Sequence, residues 1–122
     1  MKRATANLAL SALLAAGAGA AAAAPLRPAE LAQARDYVLA ACVIARYAGT
    51  PLAAEAEAWA GGLVENGTLP GAAYVALNDL VKTVPEPDRA QDGTPMRLQG
   101  CLAFVQARGF AVRVQRALKG LR

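Results

Sequence analysis

An all-α fold is what this sequence predicts, and three observations carry it. From residue 28 onward apolar residues recur at three- and four-residue spacing, no stretch alternates with a period of two, and Pro and Gly punctuate the pattern. The expected architecture is a compact single-domain helical bundle of about five helices closed by one disulfide.

The first helix is expected from about Pro28 to Tyr47, with Leu31, Ala34, Val38, Ala41, Cys42 and Ala45 as its apolar stripe and Gly49 as its stop. The second opens at Thr50-Pro51, a capping hydroxyl followed by the proline that suits a first helical position. Its face is read as Leu52, Ala56, Trp59 and Leu63, its early glutamates Glu55 and Glu57 as solvated, and Asn66-Gly67 as its end. The third starts near Pro70 and carries Tyr74, Leu77 and Val81. Thr94-Pro95 repeats the opening signal for a fourth, which buries Leu98, Cys101, Leu102 and Val105 and closes at Gly109. A fifth runs from Phe110 to the C-terminus. Short connections between the first three and the last two make them antiparallel neighbours. One long polar connection stands out, Pro85 to Gly93.

The N-terminus reads as a secretory signal peptide over residues 1–23. Lys2 and Arg3 supply the positive start, Leu8 to Ala16 the apolar centre, and Gly17 to Ala24 the small residues that signal peptidase needs. A cut after Ala23 keeps Pro25 away from the position where it is poorly tolerated; a cut after Ala20 is the alternative. Residues 24–122 then form one domain with a modest core and nothing apolar enough to span a bilayer. The expected location is the periplasm. Removing Lys2 and Arg3 leaves eleven basic against nine acidic residues, so the formal charge of +4 falls to +2. In an oxidising compartment the two cysteines, Cys42 and Cys101, read as a disulfide.

The chemistry of the chain is defined largely by what it lacks. It has no histidine, which removes Ser-His and Cys-His nucleophile pairs and most zinc sites. The cysteines are too far apart for a redox or haem motif, and no phosphate loop or calcium loop is present. Asn66-Gly67-Thr68 matches a glycosylation sequon but reads better as a helix stop. We therefore expect no enzyme activity, no cofactor and no metal. Charge is segregated: nine acidic and four basic residues lie between Glu30 and Gly93, whereas Thr94 to Arg122 holds six basic and no acidic ones. On the last helix Arg113, Arg116, Lys119 and Arg122 sweep one half of the circumference, opposite Phe110, Val114, Ala117, Leu118 and Leu121. The bland account is a solvated face complementing a helix C-terminus. For an exported protein without interleaved surface aromatics nucleic acid is a poor partner, which leaves an anionic membrane or an acidic protein surface.

Two segments carry a resemblance. Asp36-Tyr37-Val38-Leu39-Ala40-Ala41-Cys42 with Tyr47 five residues on, and Gly100-Cys101-Leu102-Ala103-Phe104, are similar to the type VI secretion system amidase effector immunity proteins, the partners of the group-four peptidoglycan amidases. The similarity extends over roughly Asp36 to Leu118. It implies an all-helical, exported, non-enzymatic homodimer that occludes the cleft of a Cys-His amidase, a cysteine hydrolase of the NlpC/P60 type. On that footing Glu86, Pro87, Asp88, Arg89 and Asp92 of the long loop are the candidate effector-binding residues, and Tyr74, Val75 and Asn78 the candidate dimer or effector contact. The alternatives are a small disulfide-stabilised periplasmic chaperone, or an envelope-binding helical module that uses the basic last helix.

Overall fold

The computed structural model describes residues 25–121. The signal-peptide reading of residues 1–23 and the place of Arg122 in the basic sweep lie outside them. Within the described residues the chain forms five helices: α1 (Pro28–Arg46), α2 (Pro51–Asn66), α3 (Gly71–Val81), α4 (Arg97–Gln106) and α5 (Phe110–Ala117). No helix there is long and apolar enough to cross a membrane.

α1 is the hub, and every other helix packs on it. It can serve all four because it is buried on more than one side: Ala34, Val38, Ala40, Ala41, Cys42 and Val43 are all inside. Pro28 occupies its first turn, where a missing N–H costs nothing. The Glu30 carboxylate accepts from the Arg27 backbone N–H at 3.1 Å and from its Nε at 3.2 Å, which satisfies the start of the helix. The stripe differs from expectation at one end, since Ala45 is exposed where α1 runs out beyond its partners. Gly49, at φ 80°, turns the chain into α2.

α2 begins as expected, with the Thr50 hydroxyl accepting from the Ala53 N–H at 3.3 Å. Its buried face, however, is Ala53, Ala56 and Ala60, while Leu52 and Trp59 are 40% and 41% exposed. Small side chains let the two helix backbones approach closely, so the alanines win the contact with α1 and the larger residues are displaced to its edge. Gly67 does end the helix. α3 buries Tyr74 and Leu77 and packs chiefly against α1 and α5. Its short link to α2 therefore does not make these two helices the main neighbours.

α4 starts two residues later than Thr94-Pro95 suggests. It buries Cys101, Phe104 and Val105, and leaves Leu98 44% exposed. Thr94 and Pro95 belong instead to the preceding loop. α5 ends at Ala117, with Leu118 buried as its cap and Gly120 at φ 77° turning the chain. Cys42 and Cys101 form the disulfide, their Cα atoms 5.8 Å apart, which ties the hub to α4. An intact disulfide is what an oxidising compartment permits.

Two aromatic pairs fill the space around the staple. Tyr37 and Tyr74 meet edge to face at 4.9 Å, and Phe104 meets Phe110 at 6.1 Å. Arg35 stacks over Phe110 at 5.5 Å while its Nε donates to the Val105 carbonyl, so the guanidinium closes the α1–α4–α5 junction.

Candidate functional site

The long connection is an ordered hairpin rather than an open loop. The Met96 N–H donates to the Asp88 carbonyl at 2.7 Å and the Ala90 N–H to Thr94 at 2.9 Å, with Arg89 and Pro95 paired as an antiparallel bridge. At the tip the Gly93 N–H donates to the Ala90 carbonyl at 2.8 Å, and Gly93 sits at φ 87°. That is a three-residue connection, Gln91-Asp92-Gly93, in which a left-handed glycine returns the chain to its partner strand. Isolated hairpins are marginal in water, so this one needs support from the body.

The support comes from α1 and α4. Arg46, in the last turn of α1, donates through Nη2 to the carbonyls of Val84 at 3.0 Å and Pro85 at 3.1 Å. It also approaches the Glu86 carboxylate at 3.6 Å, a contact of little energetic weight because that side chain is 92% exposed. Pro87 lies over Gly100 of α4, where a Cβ would meet the proline ring at 3.8 Å. Pro85 and Pro87 each fix one backbone torsion. The hairpin is thus held at its root and projects from there.

Of the five loop residues singled out in the sequence, four place their side chains outward: Glu86, Asp88, Arg89 and Asp92. Arg89 donates to the Gly93 carbonyl at 2.8 Å, bracing the tip. Pro87 is half-buried and serves the mount. The second group is divided. Tyr74 belongs to the core, its hydroxyl donating to the Leu63 carbonyl at 3.2 Å, and burial raises its pKa above the ordinary value with a smaller contribution from Tyr37. Asn78 accepts from the Tyr37 hydroxyl at 3.2 Å. Val75, 64% exposed, is the member of the three whose side chain stands free at the surface.

A cleft flanks each side of the hairpin. One, of about 550 Å³, is polar and lined by Arg46, Glu86, Arg89 and Arg97. The other, of about 310 Å³, runs between Pro85 and Pro87 on the loop and Gly100, Ala103 and Phe104 on α4, with Arg113 at its edge. Arg113 lies over the Phe104 ring at 5.2 Å. The arrangement offers carboxylates, guanidinium groups and an apolar slot to a protein surface. No group of three metal-ligating side chains comes together among the described residues. Arg46, Arg97 and Arg113 were not legible as members of this site. For Arg46 the one available signal is its place in the last turn of α1, and that reads equally well as a helix-dipole partner.

The hairpin tip carries its own pH dependence. The Thr94 N–H donates to the Asp92 carboxylate at 2.9 Å and, helped by the Thr94 hydroxyl, holds its pKa below the ordinary aspartate value. A depressed folded pKa means that this bond stabilises the tip above the ordinary value and is lost as pH falls through the folded one. In an NMR titration the Thr94 amide is expected to move with a midpoint below about 3.9. A midpoint at or above that value would mean that the Asp92–Thr94 bond does not form in solution.

In comparisons with known proteins the chain matches no family model, no curated protein and no solved structure.

Proposed function

We propose that this chain is an exported immunity protein that binds a peptidoglycan amidase and blocks its cleft with the 85–96 hairpin. The observation that carries the reading is the hairpin itself: a thin, self-bonded projection fixed at its root by Arg46 and by Pro87 on Gly100. The resemblance of the two cysteine segments to amidase immunity proteins gives that projection its target. A narrow cleft is hard to block with a flat helix face, and a preformed hairpin loses little conformational entropy on entering one. Glu86, Asp88 and Asp92 offer charge to the cleft rim, while the staple and the α1 hub hold the mount still. Inhibition of this kind needs shape and charge complementarity over roughly 800 Å² per partner and no chemistry from the inhibitor. In a homodimer each copy would present one hairpin, and Val75 is the candidate contact that α3 leaves free.

The test is replacement of residues 86–92 with a Gly/Ser segment of equal length. The variant is expected to keep its helical circular dichroism and disulfide, to bind a cognate amidase more than about tenfold more weakly, and to lose protection against lysis on periplasmic co-expression. Candidate amidases are identified beforehand by rescue with the parent chain. If the folded variant protects as well as the parent, the hairpin is a bystander.

A further inference from the structure

A second surface lies on α5 and the groove beside it, and meets the hairpin cleft at Arg113. Arg108, Arg113, Arg116 and Lys119 are all exposed, and none forms an ion pair among the described residues. Neither α4 nor α5 carries an acidic residue that could neutralise them. At 100° per residue Val112 falls between Arg116 and Lys119 on the outward side of α5, and it is 50% exposed. Phe110, Val114 and Leu118 occupy the opposite, buried side. Toward α3 an open groove of about 550 Å³ runs over Ala76, Leu80 and Ala117, with Arg113 and Arg116 along it. Its one carboxylate, Asp79, is already paired with Lys82 at 2.9 Å. The acidic side chains of α2, by contrast, sit on a helix that packs chiefly on α1. The domain is therefore a charge dipole with a cationic α5 end.

We propose that this α5 face docks on the surface of an anionic lipid bilayer, with Arg116 and Lys119 meeting headgroup phosphates and Val112 reaching the headgroup layer. Charge complementarity names the partner's sign, and the shape of the face names its class. Stable protein interfaces centre on aromatic or arginine anchors packed into desolvated pockets, whereas this face has no aromatic residue and its arginines are exposed along an open groove. Attachment to an anionic leaflet needs only clustered cations and a small apolar contact, because surface potential acts on every basic side chain within a Debye length. Docking would be reversible, since one valine cannot anchor a domain. The inference is independent of the hairpin reading, because Arg116 and Lys119 line neither of the hairpin's clefts.

Vesicle co-sedimentation of the purified protein tests it. With vesicles of phosphatidylcholine containing about 30% phosphatidylglycerol, binding is expected at about 50 mM salt, to weaken at least about tenfold at about 500 mM, and to be absent on phosphatidylcholine alone. The R116E/K119E variant, checked for helical content, is expected to bind more than about tenfold more weakly, whereas E55K/E57K on α2 binds no worse than the parent. Absence of binding to the anionic vesicles overturns the proposal, as does equal binding by R116E/K119E. Displacement by inorganic phosphate at matched ionic strength overturns it in favour of a free-anion site. If vesicles do not bind but R116E/K119E loses its amidase, the face belongs to an acidic protein surface instead. The Gly/Ser hairpin variant is expected to keep vesicle binding, which separates this result from the inhibitory reading.

Discussion

Replacing Gly67 with alanine is expected to destabilise the protein by about 2–4 kcal/mol, which for a domain of this size lowers the thermal midpoint by about 10–20 °C. The backbone of Gly67 is in an ordinary extended conformation at φ −82°, so the constraint is space rather than torsion. A Cβ there would fall against the Tyr74 hydroxyl and the Leu63 carbonyl oxygen, with Gln33 Oε1 at 3.0 Å as a third obstacle. None of the three can withdraw freely. Tyr74 and Leu63 are hydrogen-bonded to each other at 3.2 Å, and the Gln33 amide is tied to Thr68 through both its atoms. Alanine must therefore push the end of α2 away from α3 and break the Tyr74 bond. Gly61 supplies the control. It lies inside α2 with nothing within 4 Å of an added Cβ, so Gly61→Ala is expected to stabilise by about 0.5–1 kcal/mol through helix propensity alone. Melting curves of the two variants should move in opposite directions. A Gly67→Ala midpoint equal to the parent's would show that the α2–α3 junction is looser than described.

The C42A/C101A variant is expected to lose about 4 kcal/mol, the loop-closure value for a cross-link spanning 59 positions. Total stability for a small domain is about 5–10 kcal/mol, so the midpoint should fall by more than about 10 °C. The double variant is a cleaner test than adding reductant, because Cys42 and Cys101 are each only 1% exposed and the native disulfide would react slowly. The loss should also be uneven. α4 has ten residues and packs on α1 and α5, so without the staple it is held by Phe104, Val105 and the Arg35 bond to the Val105 carbonyl. Hydrogen exchange is expected to rise first in α4, α5 and the hairpin rooted on Gly100, and last in α1 and α2. A midpoint within about 3 °C of the parent's, or two titratable thiols in the native protein, would overturn this account.

How much of the molecule was legible depends on the range of the interaction that decides each element. Thr50-Pro51 opened a helix as its local chemistry demands, because the capping bond to Ala53 spans three residues. Thr94-Pro95 has the same local chemistry and opens none. There Thr94 is engaged by Asp92 and Ala90 and Pro95 bridges to Arg89, so the hairpin outcompetes the cap. The five loop residues were found because Pro and charge cluster there. Their mount was not, because Arg46 lies 38 and 39 positions before the carbonyls it holds.

By itself the sequence determined the all-α class, the five helices of the described residues, most of their ends and the Cys42–Cys101 pairing. Each of these follows from a periodicity, a cap or a count that acts within a few residues or admits one solution. Only the tertiary structure decided which face of α2 is buried, since Leu52/Trp59 and Ala53/Ala60 are neighbouring faces on one helix. Hydropathy favours the first pair, but the close approach of α1 favours the second. The same holds for Gly67, whose role as a helix stop was local while its need to remain glycine comes from Tyr74 and Gln33 arriving from α3 and α1. Packing joins residues that the chain separates, and no local rule counts the space left between them.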